Sequence, residues 1–433
     1  MNTSASRTDS YSKPPKTPAR TLLGRLVAAG TLVCAWTLAG PAPAQATTTA
    51  GRQGDVITVT AGNVGNNINI RRAGDVYEIW DHVDVHQTLP GCVRSGPYMH
   101  CPAEGVLKIL VRTEGGDDKL YINLNVDTRV EAYGGDGNDR LECEGIGTSS
   151  CHGMAGNDTV IGSAGTDAIG GGPGDDRLFG RAAIDDINGG PGADRVNGEG
   201  GNDRLNGGPG VDSVDGGGGN DLIYGGPDGD YLNGGIGTNI LNGEDGNDTF
   251  GPNPGEAGET SANGGAGNDT FYPWSLAESS HTLVMSGGPG FDAVSYLYSA
   301  GPVRADLDGV RDDGLDKPGP KDNILPDVER IDGGPFDNIL TGNDSDNVLN
   351  GSSGGDDILL GLGGSDTLTG SYGDDVIVGG GGWDRMRGNQ GDDRLDARDS
   401  PPPVWADLVD GGQGTDTCYL DPPDIRQGCD VFP

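Results

Sequence analysis

An aspartate recurs at every ninth residue through the middle of this 433-residue chain. From Gly153 to Gly251 the sequence divides without a gap into eleven nine-residue units, which begin GMAGNDTVI, GSAGTDAIG and GGPGDDRLF. The sixth position is Asp in ten of them and Asn239 in the other. The first position is always Gly, and the eighth is always apolar, from Val160 and Ile169 to Leu241 and Phe250. Carboxylates at a fixed short spacing, each set among glycines, suit the binding of hard cations. Calcium takes about six to eight oxygen ligands, carboxylate and carbonyl, in adaptable geometry, whereas magnesium keeps most of its waters. With five histidines in the chain, a softer metal would find few ligands.

The elements that position these carboxylates follow from the rest of the unit. Glycines at positions one, two and four allow a tight turn with positive φ and close approach of backbone carbonyls. A single apolar residue at position eight, between small or polar neighbours, reads as a very short strand that points one side chain inward. Turn, strand, turn, strand gives a flattened coil of two units per circuit, stacked by parallel backbone hydrogen bonds. Stacking brings the Asp of one unit near the Asp two units on, where like charges repel. One large apolar side chain in nine residues also buries little surface against the entropy of ordering a glycine-rich chain. A cation between the turns answers both problems.

Further units lie outside the main block: GGDGNDRLE at Gly134, GGAGNDTFY at Gly264 and GGPGFDAVS at Gly287. A second array runs from Gly333 and includes GLGGSDTLT, GSYGDDVIV, GGGGWDRMR and GNQGDDRLD. It ends with GGQGTDTCY at Gly411. Asn338 and Asn347 stand at its first two sixth positions, and the unit from Gly351 is one residue longer.

Composition agrees with a chain that needs cations to fold. Glycine supplies 82 residues, hydrophobic residues only 33%, and the net charge is −38. So acidic a chain repels nucleic-acid phosphates, which excludes that class of partner. The glycines do not fall at every third residue, which excludes collagen. Residues 1–46 read as a signal peptide. Arg7, Lys13, Lys16, Arg20 and Arg25 precede an apolar run from Leu26 to Gly40, and Ala44-Gln45-Ala46 offers small residues for cleavage after Ala46. The apolar run is shorter than the roughly 20 residues of a spanning helix, and no later segment of the mature chain reads as transmembrane. Loss of five basic residues and one acid carries the charge from −38 to −42. Six cysteines remain, an even number that reads as disulfides in an exported protein. Sequence leaves their connectivity open; spacing favours Cys92–Cys101, Cys143–Cys151 and Cys418–Cys429. A zinc site is the alternative, since His100 and His152 each adjoin a Cys, but no C-x-x-C or H-x₃₋₅-H pair lies with them.

The nonapeptide follows the pattern G-G-x-G-x-D-x-U-x, and with it the chain resembles the RTX (haemolysin-type) calcium-binding repeat proteins. The resemblance implies an all-β fold, a right-handed parallel β-roll in two arrays with a small N-terminal β cap. Calcium would be held between each turn and the turn two units on. Carried over, the ligands in the first array are Asp158, Asp167, Asp176, Asp185, Asp194, Asp203, Asp212, Asp221, Asp230 and Asp248. The outlying units add Asp139, Asp269 and Asp292, and the second array adds Asp366, Asp375, Asp384, Asp393 and Asp416. Asn239, Asn338 and Asn347 lack the charge, so calcium is expected to be weak or absent there. Ala183 and Asp228 replace turn glycines and put those two turns in doubt. Members of the family with toxin or protease activity leave the cell by a dedicated channel, whereas this chain reads as carrying an N-terminal signal.

The expected organisation is a signal peptide over 1–46, a β-rich cap over 47–133, a first array over 134–272, an interrupting segment over 273–332, a second array over 333–419 and a tail over 420–433. Asp306-Leu307-Asp308-Gly309 through Asp313-Gly314 fails the EF-hand spacing and reads as a solvated acidic loop. No catalytic constellation emerges. His82-Val83-Asp84-Val85-His86 lacks the Glu of a zincin, and Gly351-Ser352-Ser353-Gly354-Gly355 matches G-x-S-x-G inside a repeat rather than at a strand-to-helix elbow. The expected function is therefore a non-catalytic, exported, calcium-binding β-roll, a structural or adhesive module outside the cell. Its partners are calcium ions and a surface or extracellular polymer that the sequence does not identify. The alternative is a calcium-dependent extracellular hydrolase with the roll as its folding and secretion tail.

Overall fold

Residues six, seven and eight of each unit alternate inward, outward, inward, as the period of a strand requires. Asp176 and Leu178 are buried while Arg177 between them is exposed. In the computed structural model, which describes residues 48–82, 85–88, 90–251, 257–273, 280–316, 321–399 and 405–431, the strand of a regular unit covers positions seven to nine, as at Thr159–Ile161 and Asp186–Asn188, with the position-six Asp just before it. The expected signal peptide, and Val83 and Asp84 of the His82–His86 run, lie outside the described residues.

Each short strand pairs in parallel with the strand eighteen residues on, so Leu178 lies opposite Val196 and Val196 opposite Val214. Alternate units feed opposite faces. Thr159–Ile161, Arg177–Ala182 and Arg195–Gly200 follow one another in one sheet, and Asp167–Gly170, Asp186–Asn188 and Arg204–Asn206 in the other. The chain is thus an all-β parallel solenoid with no helix among the described residues. Its core is the column of position-eight side chains, of which Val160, Leu178, Leu205, Ile223 and Leu232 have no exposed surface. Phe250 and Phe271 continue the column as a stacked pair, 4.6 Å between ring centroids.

The N-terminal part differs in pairing. Thr48–Gln53 with Val56–Thr60, Asn67–Ala73 with Val76–Asp81, and Val93–Ser95 with Tyr98–Pro102 are antiparallel pairs. Parallel stacking takes over where Val56–Thr60 pairs with Lys108–Arg112, and Asn67–Ala73 with Lys119–Leu124. Antiparallel hairpins close the open end of a solenoid, whose edge would otherwise offer unpaired backbone groups. Disulfides join Cys92 to Cys101, Cys143 to Cys151 and Cys418 to Cys429, the three local pairs favoured by spacing.

The two arrays share one face. Ala293–Ser295 pairs directly with Arg330–Asp332, which pairs with Val348–Asn350, so this sheet runs through both arrays. The opposite face is broken. A fourteen-stranded sheet ends at Asn323–Ile324, and a separate seven-stranded sheet begins with Val303–Asp306 and Gly314–Leu315. The Asp313 side chain bridges the two: its Oδ1 accepts the Asp306 N–H at 2.7 Å and its Oδ2 accepts the Ile324 N–H at 2.8 Å. The turns at Ala183 and Asp228, doubtful from sequence, are retained. Both residues adopt left-handed backbone, with φ of 74° and 82°, a cost that the stacked neighbours on either side hold in place.

Candidate metal centre

Because position six faces inward two residues before the core residue, its carboxylate ends up inside the turn. Asp158, Asp292, Asp384 and Asp416 have no exposed surface, and the other position-six carboxylates are equally buried. One oxygen of each is accounted for. The backbone N–H of Asp158 donates to Asp176 Oδ1, that of Asp176 to Asp194, and that of Asp194 to Asp212, all at 2.7–2.8 Å. The alternate units repeat the ladder from Asp167 through Asp185, Asp203 and Asp221. The second array does the same from Asp357 through Asp375 and Asp393 to Asp416.

The other oxygen has no hydrogen-bond partner although it is buried. This holds for Oδ2 of Asp139, Asp158, Asp176, Asp185, Asp194, Asp203, Asp212, Asp221, Asp230, Asp248, Asp269, Asp292, Asp366, Asp375, Asp384, Asp393 and Asp416. A buried polar atom without a partner is costly, and here the same cost recurs in turn after turn. Burial pushes these carboxyls up, the backbone N–H bond opposes it, and neighbouring carboxylates add to the rise. Asp176, Asp203 and Asp221 reach about 6, Asp158, Asp185 and Asp230 about 7, and Asp212 about 8. In the second array Asp366 and Asp375 reach about 7.

The glycine of position one explains how the oxygens come together. Positive φ is found at positions two and four, as at Gly208 (109°) and Gly210 (131°), but not at position one. The need there is space. A Cβ on Gly198 would stand 2.5 Å from Asp203 Oδ2 and 2.7 Å from the carbonyl oxygen of Gly216, two units on. The missing side chain leaves a cradle where a carboxylate oxygen and a carbonyl oxygen face each other with no donor between them. A donor set made only of oxygens, one of them charged, is what a hard divalent cation takes. The residues present therefore fit calcium.

Of the carboxylates picked out in the sequence, Asp167 is the one the structure removes from this arrangement. Ser163, at position two of its unit, donates its N–H to Asp167 Oδ2 at 2.5 Å, and its hydroxyl lies 2.9 Å from Oδ1. Protein donors satisfy this oxygen because Ser163 does not adopt the left-handed conformation found at position two in the other ten units of the first array. Ser163→Gly should restore that conformation, free Oδ2 and raise the calorimetric calcium count by one; an unchanged count would refute this account.

Three carboxylates join the ladder that the sequence reading left off its ligand list. Asp118 receives the Asn66 N–H and itself donates to Asp139 Oδ1, and its Oδ2 is unpartnered. Its signal in the sequence is the run Gly116–Tyr121, a degenerate repeat in which Asp118 and Leu120 keep the spacing of positions six and eight. Asp357 sits in the ten-residue unit, where the extra residue moves it out of register. Asp407 follows an insertion and receives the Asp384 N–H at 2.7 Å; its signal was the run Asp407-Leu408-Val409. Burial raises both carboxyls, Asp357 to about 8 and Asp407 to about 7.

The acidic loop departs from its expected solvated state. Asp306, Asp312 and Asp313 each bring one oxygen within 4.8 Å of the others, and Asp313 is 1% exposed. The carboxylate is buried because it caps the two backbone N–H groups at the junction of the sheets. Ser353, the nucleophile of the G-x-S-x-G match, is exposed on a repeat turn.

The family model of the RTX calcium-binding nonapeptide repeat matches residues 152–178, 179–214, 215–250, 255–273, 326–358 and 360–395. No curated protein matches the chain. The matched segments are stacked coils that hold most of the unpartnered carboxylates, and the nonapeptide repeats within them are RTX calcium-binding repeats.

Proposed function

We propose that this is an exported, non-catalytic protein whose repeats fold into a β-roll on binding several calcium ions outside the cell, where it acts as a structural or adhesive module. The observation that carries the reading is the row of buried, unpartnered Oδ2 atoms. The ligands would be the position-six carboxylates, from Asp139, Asp158, Asp176 and Asp185 to Asp384, Asp393 and Asp416, joined by Asp118, Asp357 and Asp407 and by position-one carbonyls. Bound calcium supplies charge neutralisation and oxygen coordination. The chain supplies the turn that gathers the oxygens and the core column that holds adjacent turns in register. Export is supported by the basic and apolar N-terminal segment and by the disulfides. Where calcium is scarce the chain stays unfolded, and it folds where calcium is plentiful.

Calcium titration of the purified protein, followed by calorimetry and circular dichroism together, tests this. Coil in chelator should become β-structure as several ions bind. The saturated protein should turn over no peptide, ester or glycan substrate. A spectrum indifferent to chelation at pH 8 would refute calcium-driven folding, and specific turnover would move the reading to an extracellular hydrolase.

A further inference from the structure

Not every turn of the ladder presents bare oxygens. Asn338, 1% exposed, occupies position six of the first unit of the second array. Its Nδ2 lies 3.0 Å from the Gly334 carbonyl oxygen, 2.6 Å from that of Phe336, 3.2 Å from that of Gly351 and 2.9 Å from Asp357 Oδ1. Gly351 is the position-one residue two units on, and its carbonyl corresponds to the Gly216 oxygen that faces Asp203 Oδ2 in a regular turn. The amide nitrogen therefore meets, as a donor, the oxygens that converge elsewhere on an unpartnered acceptor. Its Oδ1 accepts the N–H groups of Gly334 and Val303, each at 3.3 Å. These partners fix the orientation of the amide, because the flipped form would set an oxygen against four acceptors.

The other two asparagines are less complete. Asn239 Nδ2 reaches only the Gly235 carbonyl, at 3.3 Å. Asn347 accepts the Asn343 N–H through Oδ1, and its Nδ2 is buried without a partner. Asn338 is also distinguished by place. The Val303 N–H that it accepts belongs to Val303–Asp306, the strand with which the seven-stranded face begins and which pairs with Ile339–Thr341.

We propose that the Asn338 side-chain amide stands in for a bound cation, and that its coil is a metal-independent nucleus from which the second array folds. A solenoid can start at any coil and extend by nearest-neighbour contacts. A coil whose converging oxygens already face an amide donor forms before calcium arrives and presents the edges on which the Asp366 and Asp375 coils then assemble. The inference rests on reading the carboxylate ladder as a set of calcium sites, and its test separates the two.

In the full chain held in chelator at about pH 8, hydrogen exchange at Ile339–Thr341 and Val348–Asn350 should be about tenfold or more slower than at Val376–Val378 and Arg394–Asp396. Asn338→Asp should bind one calcium more than the parent and lose that chelator-resistant protection. Asn338→Ala should lose the protection and gain no calcium, which separates loss of the amide from gain of a carboxylate. Uniform exchange across all coils in chelator would overturn the proposal, as would an Asn338→Asp protein with the parent's stoichiometry. A parent that binds no calcium would defeat the reading of the ladder, while the exchange comparison would still decide for or against Asn338.

Discussion

Acidified in the presence of chelator, from about pH 8 to about pH 4.5, the protein should gain β-structure rather than lose it. The carboxyls of the ladder are raised in the folded chain from 3.8 to about 6 at Asp194 and Asp393, about 7 at Asp230 and Asp292, and about 8 at Asp212. Over that window the folded state binds more protons than the unfolded state, so stability falls as pH rises. The contribution of these groups is fully present below about pH 3.8 and is lost as pH climbs through about 6 to 8. A proton on Oδ2 is a poor substitute for a cation, but it removes the charge and supplies a donor toward the position-one carbonyl. Calcium works in the opposite direction, since it binds the ionised form, and its affinity should drop as pH falls through the same range. Far-ultraviolet circular dichroism against pH, in chelator and in calcium, measures both limbs. A metal-free chain that only loses structure on acidification would show that the buried carboxylates do not govern folding.

Gly198→Ala should remove one calcium from the binding stoichiometry without altering any carboxylate. The added methyl group would stand against Asp203 Oδ2 and the Gly216 carbonyl and force them apart. Overpacking of this kind costs about 1–3 kcal/mol, and the stabilisation from that site's calcium is lost in addition. Gly200→Ala, two residues on, is the control. Its Cβ would meet nothing nearer than the Arg181 carbonyl oxygen at 3.6 Å, and its φ is not left-handed, so stoichiometry and midpoint should match the parent. Calorimetry and thermal unfolding of the two variants decide the matter; equal behaviour would mean that the position-one cradle does not hold the cation.

The period made most of this legible. A nine-residue repeat with one Asp and one apolar residue two positions apart fixes both side chains on the same side of a strand, and from that the parallel coil and its buried carboxylates follow. Of the two roles read for the position-one glycine, the structure keeps the close approach of carbonyls and drops the positive φ, because sequence cannot separate a glycine required for positive φ from one required for lack of a Cβ. Asp357 and Asp407 were hidden by an extra residue and an insertion, which break the period while leaving the stack intact. Asp167 kept the period but is satisfied by Ser163, a contact that depends on the backbone conformation of one residue. Asn338 read as a missing charge, and only its four oxygen neighbours reveal a donor in the position of a cation. Whether the arrays join is not legible across residues 273–332, since the unit at Gly287 stands alone and its strand partner Arg330–Asp332 follows only after a long break in the period.

That junction has a mechanical meaning. Hydrogen bonds between stacked coils lie along the long axis of the solenoid, so a pull on its ends loads them directly. Over most of the length two ladders share the load. Between the arrays one face carries it through continuous strand pairing, while the other passes it through a handful of bonds around the Asp313 carboxylate. For a module that tethers one surface to another, the molecule should bend open on that side first, with the unbroken sheet serving as its hinge.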